Sequence, residues 1–360
     1  MEITHTDVAG VEVPFADDFP VSYGIEHSTH HVFVRIGTDE GLTGYGEGTA
    51  LPWFTGDVTA GLESVADDWI RPLIEGRTLE GALTELTAFQ DDFPGAYGAT
   101  AAVEMALLDL QAKRLDAPLH RLLGAAVRDE IPVVSVLPAL GPEETAERAA
   151  ATVADGYTRL KVKADGDVDG DVARINAVLA ELPPDGTLRV DANTSWGTYP
   201  TAARAIDGID DLERIEYLEQ PVGVDRVDHM ERLWADFRVP VFADESVGEV
   251  RDVERYARDA SIPGFHLKLA KSGSLRELAR MATSARQHGM TASVVSAFGT
   301  SLEASANLHL AAVVTNLSAG VEICTDLLAD VEGVPPMDQA PTIPVPDGPG
   351  VGVELGDSLF

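Results

Sequence analysis

From about residue 131 onward the chain repeats one pattern eight times, and no other feature constrains its fold as strongly. Apolar, β-like runs open near Ile131 (IPVVSVL), Thr158 (TRLKVKA), Thr187 (TLRVDAN), Ile215 (IEYLEQP), Val239 (VPVFADES), Gly264 (GFHLKLA), Thr291 (TASVVSA) and Ala319 (AGVEIC). Consecutive openings differ by 27, 29, 28, 24, 25, 27 and 28 residues. Such an interval holds one strand, one helix and two loops, and helical stretches such as DVARINAVLAEL occupy the gaps. Eight such units predict a parallel α/β barrel. A doubly wound open sheet would not need eight equal units, and no Gly-rich phosphate loop follows the first strand.

The flanking segments read differently. The first 50 residues have an antiparallel β pattern: HHVFVRIG over 30–37, a turn at Thr38-Asp39-Glu40-Gly41, then LTGYGEG. Helical periodicity follows over 57–75, 79–91 and 98–115. After about residue 330 the chain turns Pro- and Gly-rich, which predicts an irregular tail with a late strand. The expected organisation is an α+β capping domain over 1–128, the barrel over 129–330, and a segment over 331–360 that packs back on the cap.

Charged residues stand at the C-terminal ends of five consecutive runs. The second gives Lys161 and Lys163, the third Asp191 and Asn193, the fourth Glu219, the fifth Asp244 and Glu245, the sixth Lys268. From Lys163 the steps to Asp191, Glu219, Asp244 and Lys268 are 28, 28, 25 and 24 residues. Equivalent strand ends of a barrel converge on one mouth. Three carboxylates with no Cys or His beside them make a hard oxygen site, which suits Mg²⁺. Asn193 shares a face with Asp191 and is either a supporting partner, as Glu245 can be, or a turn residue.

Five lysines occur in the chain, against 21 arginines (26 minus 5), and four of them lie in Lys161-Val-Lys163 and Lys268-Leu-Ala-Lys271. Lysine can give up its proton when buried or crowded by another cation and then act as a base; arginine in effect cannot. Strands 2 and 6 of an eight-stranded ring are opposite, with the acid-bearing strands on the arc between them. A metal-bound carboxylate would then show one face of its α-carbon to Lys163 and the other to Lys268. That arrangement suits α-proton removal through a metal-stabilised enediolate. Lys161 is expected to depress the pKa of Lys163 by like-charge repulsion, and Lys271 to be a loop or helix-start residue.

The net charge of −34 excludes a nucleic-acid partner and an anionic membrane surface. The acid is dispersed and lysine is scarce, which points to a salt-rich, halophilic cytosol. One cysteine, Cys324, excludes a disulfide framework and a Cys-based zinc site. No apolar run has the length of a membrane span, and the N-terminus has no basic or apolar leader. A cytoplasmic homo-oligomer acting on a small carboxylate is expected.

The motifs KVK (161–163), VDAN (190–193), EQP (219–221), ADES (243–246) and KLAKSG (268–273), with AAVEMALLDLQAKRL and GPGVGVEL, resemble the enolase superfamily and its muconate lactonizing subgroup. The resemblance implies a (β/α)7β TIM-like barrel with a cap formed by the N-terminal region and the C-terminal tail. It also implies Mg²⁺ on Asp191, Glu219 and Asp244, with Lys161, Lys163 and Lys268 catalytic. In many members the seventh strand carries a Glu in a GxxxE-like stretch; here, in SVVSAFGTS, Gly299 is taken to replace it. The eighth strand reads Glu322-Ile-Cys324, without the second acid with which dipeptide epimerases hold an ammonium group. Ser296, Phe298, Thr300, Glu322 and Cys324, under Tyr23, Trp53 and Phe54 from the cap, are the expected substrate contacts. The activity implied is an isomerase, cycloisomerase-like or racemase/epimerase. The alternatives are a lyase of the o-succinylbenzoate synthase type, a dipeptide epimerase, and a non-catalytic carboxylate-binding barrel.

Overall fold

The computed structural model describes residues 1–259 and 262–360. Three strands open the chain: β1 (Ile3–Val21), β2 (Gly24–Thr38) and β3 (Thr43–Ala50) form an antiparallel meander. Helical segments then run from Thr59 to Ile74, with a π-helical stretch at Val65–Ile70, and over Leu79–Asp92 and Tyr97–Arg114. The long helix Tyr97–Arg114 packs closely on β3. A Cβ at Gly46 would stand 1.8 Å from the Ala102 carbonyl oxygen, and one at Gly48 1.8 Å from that of Gly98. Alternate glycines in TGYGEG thus let backbone rest on backbone.

The eight repeated runs become β4 (Glu130–Leu137), β5 (Arg159–Lys163), β6 (Thr187–Asp191), β7 (Ile215–Glu219), β8 (Val241–Ala243), β9 (Gly264–Leu267), β10 (Thr291–Val294) and β11 (Val321–Glu322). All are parallel, in the order β10-β9-β8-β7-β6-β5-β4-β11, and a bridge between Ala292 and Leu317 brings the two ends of that order together. Helices Pro142–Ala154, Val168–Glu181, Tyr199–Asp207, Val227–Phe237, Val250–Asp259, Leu275–Gln287 and Ser301–Val313 fill the seven intervals. The architecture is a (β/α)7β barrel under an antiparallel cap. The tail strand, β12 (Thr342–Pro344), pairs antiparallel with β4 of the barrel, so this piece does not lie on the cap. The last residues do touch the N-terminal unit: Val351 N–H donates to Asp109 at 2.7 Å, and Arg35 pairs with Asp357 at 2.6 Å.

Two buried carboxylates of the cap fasten it to the barrel by capping barrel helices. Glu104 accepts from Ser274 Oγ (2.7 Å) and Leu275 N (2.6 Å) at the start of Leu275–Gln287. Glu47 accepts from Thr300 N (2.8 Å), Thr300 Oγ1 (2.7 Å) and Glu303 N (2.9 Å) at the start of Ser301–Val313. Each anion satisfies otherwise unpaired N–H groups at the positive end of a helix.

Candidate active site

Strand pairing puts the charged strand ends in register. Lys163 is opposite Asp191, and Asp191 is opposite Glu219. Asp191, Glu219 and Asp244 are at most 1% exposed and form a layer beneath the lysines. Lys161 Nζ lies 2.9 Å from Asp191, 2.6 Å from Glu219 and 2.9 Å from Glu322. Lys163 Nζ donates to Asp191 Oδ2 (2.6 Å) and to Asn193 Oδ1 (3.1 Å). Lys268 Nζ donates to Asp244 Oδ2 at 2.9 Å. The two ammonium groups of the KVK motif are therefore not left to repel each other, because the Asp191 carboxylate touches both. Lys271 lies in the short helix Leu269–Ser272, and its ammonium reaches the carbonyl and carboxylate of Asp244.

Electrostatics sorts these groups. Burial opposes the charge on Asp244, but Lys268 and Lys271 outweigh it and hold this carboxyl well below the usual range. Glu219 goes the other way: burial, then Asp191, raise it well above the usual carboxylate value. Among the described residues neither Glu219 oxygen has a hydrogen-bond donor in good geometry, although the Lys161 ammonium is within ion-pair distance. A buried carboxylate pushed upward by its neighbours, with free lone pairs, is the setting a cation would relieve. The all-oxygen trio fits a hard divalent ion. Glu245 is pushed up to about 8 by burial and by Asp244, and its Oε1 accepts from Asn193 Nδ2 at 3.1 Å.

Two features correct the sequence reading. His266, within an apolar run on β9, lies 3.1 Å from Glu219 and 3.7 Å from Asp244, so a histidine does stand beside the acids. Burial lowers it to about 3, and neutral imidazole suits so enclosed a place. The acid taken to be missing after the seventh strand is present as Glu303: the stretch Gly299-Thr300-Ser301-Leu302-Glu303 is itself GxxxE. Glu303 is buried and accepts from Ala297 N at 3.1 Å and from Thr49 Oγ1 at 3.1 Å. It thereby shapes the loop that holds Phe298 at φ +59°, a left-handed conformation costly for a bulky side chain.

A cavity of about 210 Å³ opens above the lysines. Lys161, Lys163, Asn193 and Lys268 form its floor, and Ser296, Phe298, Glu322 and Cys324 one wall. Tyr23, Trp53 and Phe54 of the cap lie across it. Phe298 meets Phe15 and Phe19 edge-on at 5.2 Å each, so β1 supports that wall. Thr300 does not line the cavity: it is the helix cap bound to Glu47. Glu322 is held by Lys161 and by Arg189 (3.4 Å) inside the barrel. Burial pushes the Cys324 thiol upward, so it is a neutral wall. Phe15, Glu26, Ser28 and His30 of the cap also line the space, and the sequence reading did not include them.

A capped parallel barrel with acids and opposed lysines at its C-terminal mouth is an enzyme's architecture. Residues 3–124 match the family described as mandelate racemase / muconate lactonizing enzyme, N-terminal domain, and residues 144–359 the enolase C-terminal domain-like family. The chain belongs to the mandelate racemase / muconate lactonizing enzyme family of the enolase superfamily. It is 28% identical to the N-succinyl-L-Arg/Lys racemase of Bacillus cereus, over 100% of this chain and 97% of that one. It is 30% identical to a chloromuconate cycloisomerase of Cupriavidus pinatubonensis, covering 93% and 91%. The structure of a dipeptide epimerase from Enterococcus faecalis, complexed with Mg and the dipeptide L-Leu-L-Tyr, superposes with a TM-score of 0.92 at 25% identity, covering 98% and 100%.

Proposed function

We propose that this enzyme is a Mg²⁺-dependent isomerase that removes the proton α to a carboxylate and returns one to the opposite face, as a racemase or epimerase does. The observation that carries this reading is the placement of Lys163 and Lys268 on β5 and at the end of β9, four strands apart in the ring, with the acids of β6, β7 and β8 between them. A single-base reaction would need only one of them. Asp191, Glu219 and Asp244 would hold Mg²⁺, which when bound supplies positive charge to the substrate carboxylate.

The chain's own residues perform the proton movement. One lysine, neutral, takes the α-hydrogen: its C–H bond breaks and an N–H bond forms. The opposed lysine, charged, then gives its proton to the other face of the same carbon. Lys161, kept protonated by Asp191, Glu219 and Glu322, remains a fixed positive charge beneath the reacting carboxylate. Asn193 orients Lys163, and Glu303 holds the Ser296–Phe298 wall in place. We read 1–128 as the cap that closes the site, 129–330 as the catalytic barrel and 331–360 as a strap joining the two.

The N-succinyl amino acid named for the Bacillus cereus relative and the dipeptides of the epimerases share an acylated α-amino group, so N-acyl amino acids are the substrates to try first. The test is ¹H NMR of an N-acetyl amino acid series in D₂O with Mg²⁺. Loss of the α-proton signal with inversion is expected, abolished by chelation and restored by Mg²⁺. Calorimetry should show one Mg²⁺ per chain, lost in Glu219→Gln. Exchange that survives exhaustive chelation would refute the metal site, and exchange without inversion would refute the two-base reading.

A further inference from the structure

The two opposed lysines are held in place by different parts of the molecule. Beside Lys163 stands a buried ion pair on the barrel helix Val168–Glu181. Asp171 and Arg174, three residues apart and so on one face of that helix, are 0% and 5% exposed and meet at 2.7 Å. The planar guanidinium of Arg174 spreads over two strand ends. Its Nε donates to the Leu140 carbonyl oxygen after β4 (2.6 Å), its Nη2 to Asp165 (2.9 Å) and its Nη1 to the carbonyl oxygen of Lys163 itself (3.4 Å). Asp171 uses both of its oxygens. Oδ1 accepts from Asp165 N (3.0 Å), and Oδ2 from Gly166 N (3.1 Å) and Trp196 Nε1 (2.9 Å).

Trp196 is buried in the turn after β6 that also bears Asn193, and Asn193 accepts from Lys163 Nζ at 3.1 Å. That turn is strained: Asn193 at φ +40° and Thr194 at φ +65° are two consecutive non-glycine residues in the left-handed region. Such a conformation persists only where its surroundings hold it, and the Asp171–Trp196 bond is one hold. The ion pair therefore fixes both sides of the Lys163–Asn193 contact, the backbone that carries the lysine and the turn that carries its partner. Lys268 is fastened from elsewhere. Gln90 of the cap donates to the Gly273 carbonyl oxygen at 2.9 Å, and Glu104 of the cap takes Ser274 and Leu275. A buried charge pair is costly to desolvate and stabilises a fold little, whereas a fork clamped among the loops after β4, β5 and β6 fixes position.

We propose that Asp171 and Arg174 are positioning residues for Lys163, and that they govern proton removal at the face of the substrate that Lys163 serves while leaving the face of Lys268 unaffected. The stereochemical part of this assignment rests on the two-base reading of the site. The two halves of one reaction are then set by separate supports, one in a barrel helix and one in the cap.

The test uses the full chain with Mg²⁺ and two readouts. The first is α-proton exchange in D₂O from each pure enantiomer of the most reactive N-acetyl amino acid; the enantiomer served by Lys163 is the one that Lys163→Ala silences. Racemisation needs both bases, so only exchange at each face separates them. Arg174→Gln should slow exchange of that enantiomer at least about tenfold and leave the other within about twofold, since a small misplacement of a base is costly. Asp165→Ala, at a side chain 34% exposed, should act in the same direction more weakly, and takes over if Arg174→Gln does not fold. Melting curves check both. The second readout needs no turnover. The chain has five lysines, so ¹³Cε-lysine labelling gives five NMR signals. The Lys163 signal, identified by its loss in Lys163→Ala, should move in both variants while that of Lys268 stays. A folded variant that slows both enantiomers alike, or neither, overturns the proposal, as does an unmoved Lys163 signal. A moved Lys163 signal with no exchange from either enantiomer in the wild type leaves the positioning role standing and overturns the two-base reading instead.

Discussion

Lys161 and Glu322 meet at 2.9 Å inside the barrel, joining the second strand of the ring to the eighth. Glu322 also faces Arg189, and burial would raise its carboxyl were it not for Lys161 first and Arg189 beside it, which hold it below the usual range. It therefore neutralises interior cations more than it serves the substrate. Glu322→Ala leaves two buried cations short of an anion and should cost about 3–5 kcal/mol. Glu322→Gln should cost less and leave Mg²⁺ affinity nearly intact. Denaturant unfolding and Mg²⁺ titration check both; a variant that folds normally but loses Mg²⁺ would contradict the assignment.

The opposed lysines should separate by stereochemistry. Lys163→Ala should suppress exchange from one enantiomer of a substrate and Lys268→Ala from the other, each by at least about a hundredfold. Deuterium incorporation from each pure enantiomer measures this. Equal losses from both enantiomers in both variants would assign the lysines to binding.

Stability should rise with salt. Sixty acidic against 26 basic residues repel one another in dilute buffer, and at 1 M salt the screening length is about 3 Å. The Tm should climb as KCl goes from millimolar to molar. A flat Tm would remove the argument for a saline cytosol.

His309 should give the fold an acid-sensitive limb. It is buried, its Nδ1 is 3.3 Å from that of His120, and its Nε2 is 3.3 Å from the Val351 carbonyl oxygen. Burial lowers it from 6.5 to about 4. Between those values the unfolded chain binds a proton that the folded chain refuses, so stability falls as pH falls from 6.5 to 4, by on the order of 3 kcal/mol. Asp326, raised by burial to about 6, acts in the opposite sense between 6 and 3.8. The informative quantity is therefore the difference between wild type and His309→Gln, whose Tm should be flatter across pH 4–6.5. Parallel curves would show that His309 does not titrate as described.

Strand ends were legible because a charge closing an apolar run is conspicuous, and its spacing reports the ring. Asp191, Glu219, Asp244 and the lysines belong to that class. His266 was not legible: it sits in the middle of an apolar run, and its neighbour Glu219 is 47 positions earlier. Glu303 escaped because reading the seventh strand stopped at Ser301, whereas the acid comes from the helix that follows. Thr300 was misassigned for the same reason, since a residue at a strand–helix junction can serve the helix as its cap. Glu26 and His30 depend on how far the β1–β2 hairpin reaches over the barrel, which only pairing across residues 3–38 determines.

The glycine-spaced contact between β3 and the helix Tyr97–Arg114 bears on how such an enzyme can change its diet. Where backbone rests on backbone at Gly46 and Gly48, any side chain added would meet a helix carbonyl and force the plate to shift. Glu47 and Glu104 bolt that plate to two barrel helices. Change that reaches the cavity without moving the plate is then left to its margins, the loop after β3 and the far end of the β1–β2 hairpin, whose Trp53, Tyr23 and Glu26 line the space above the lysines.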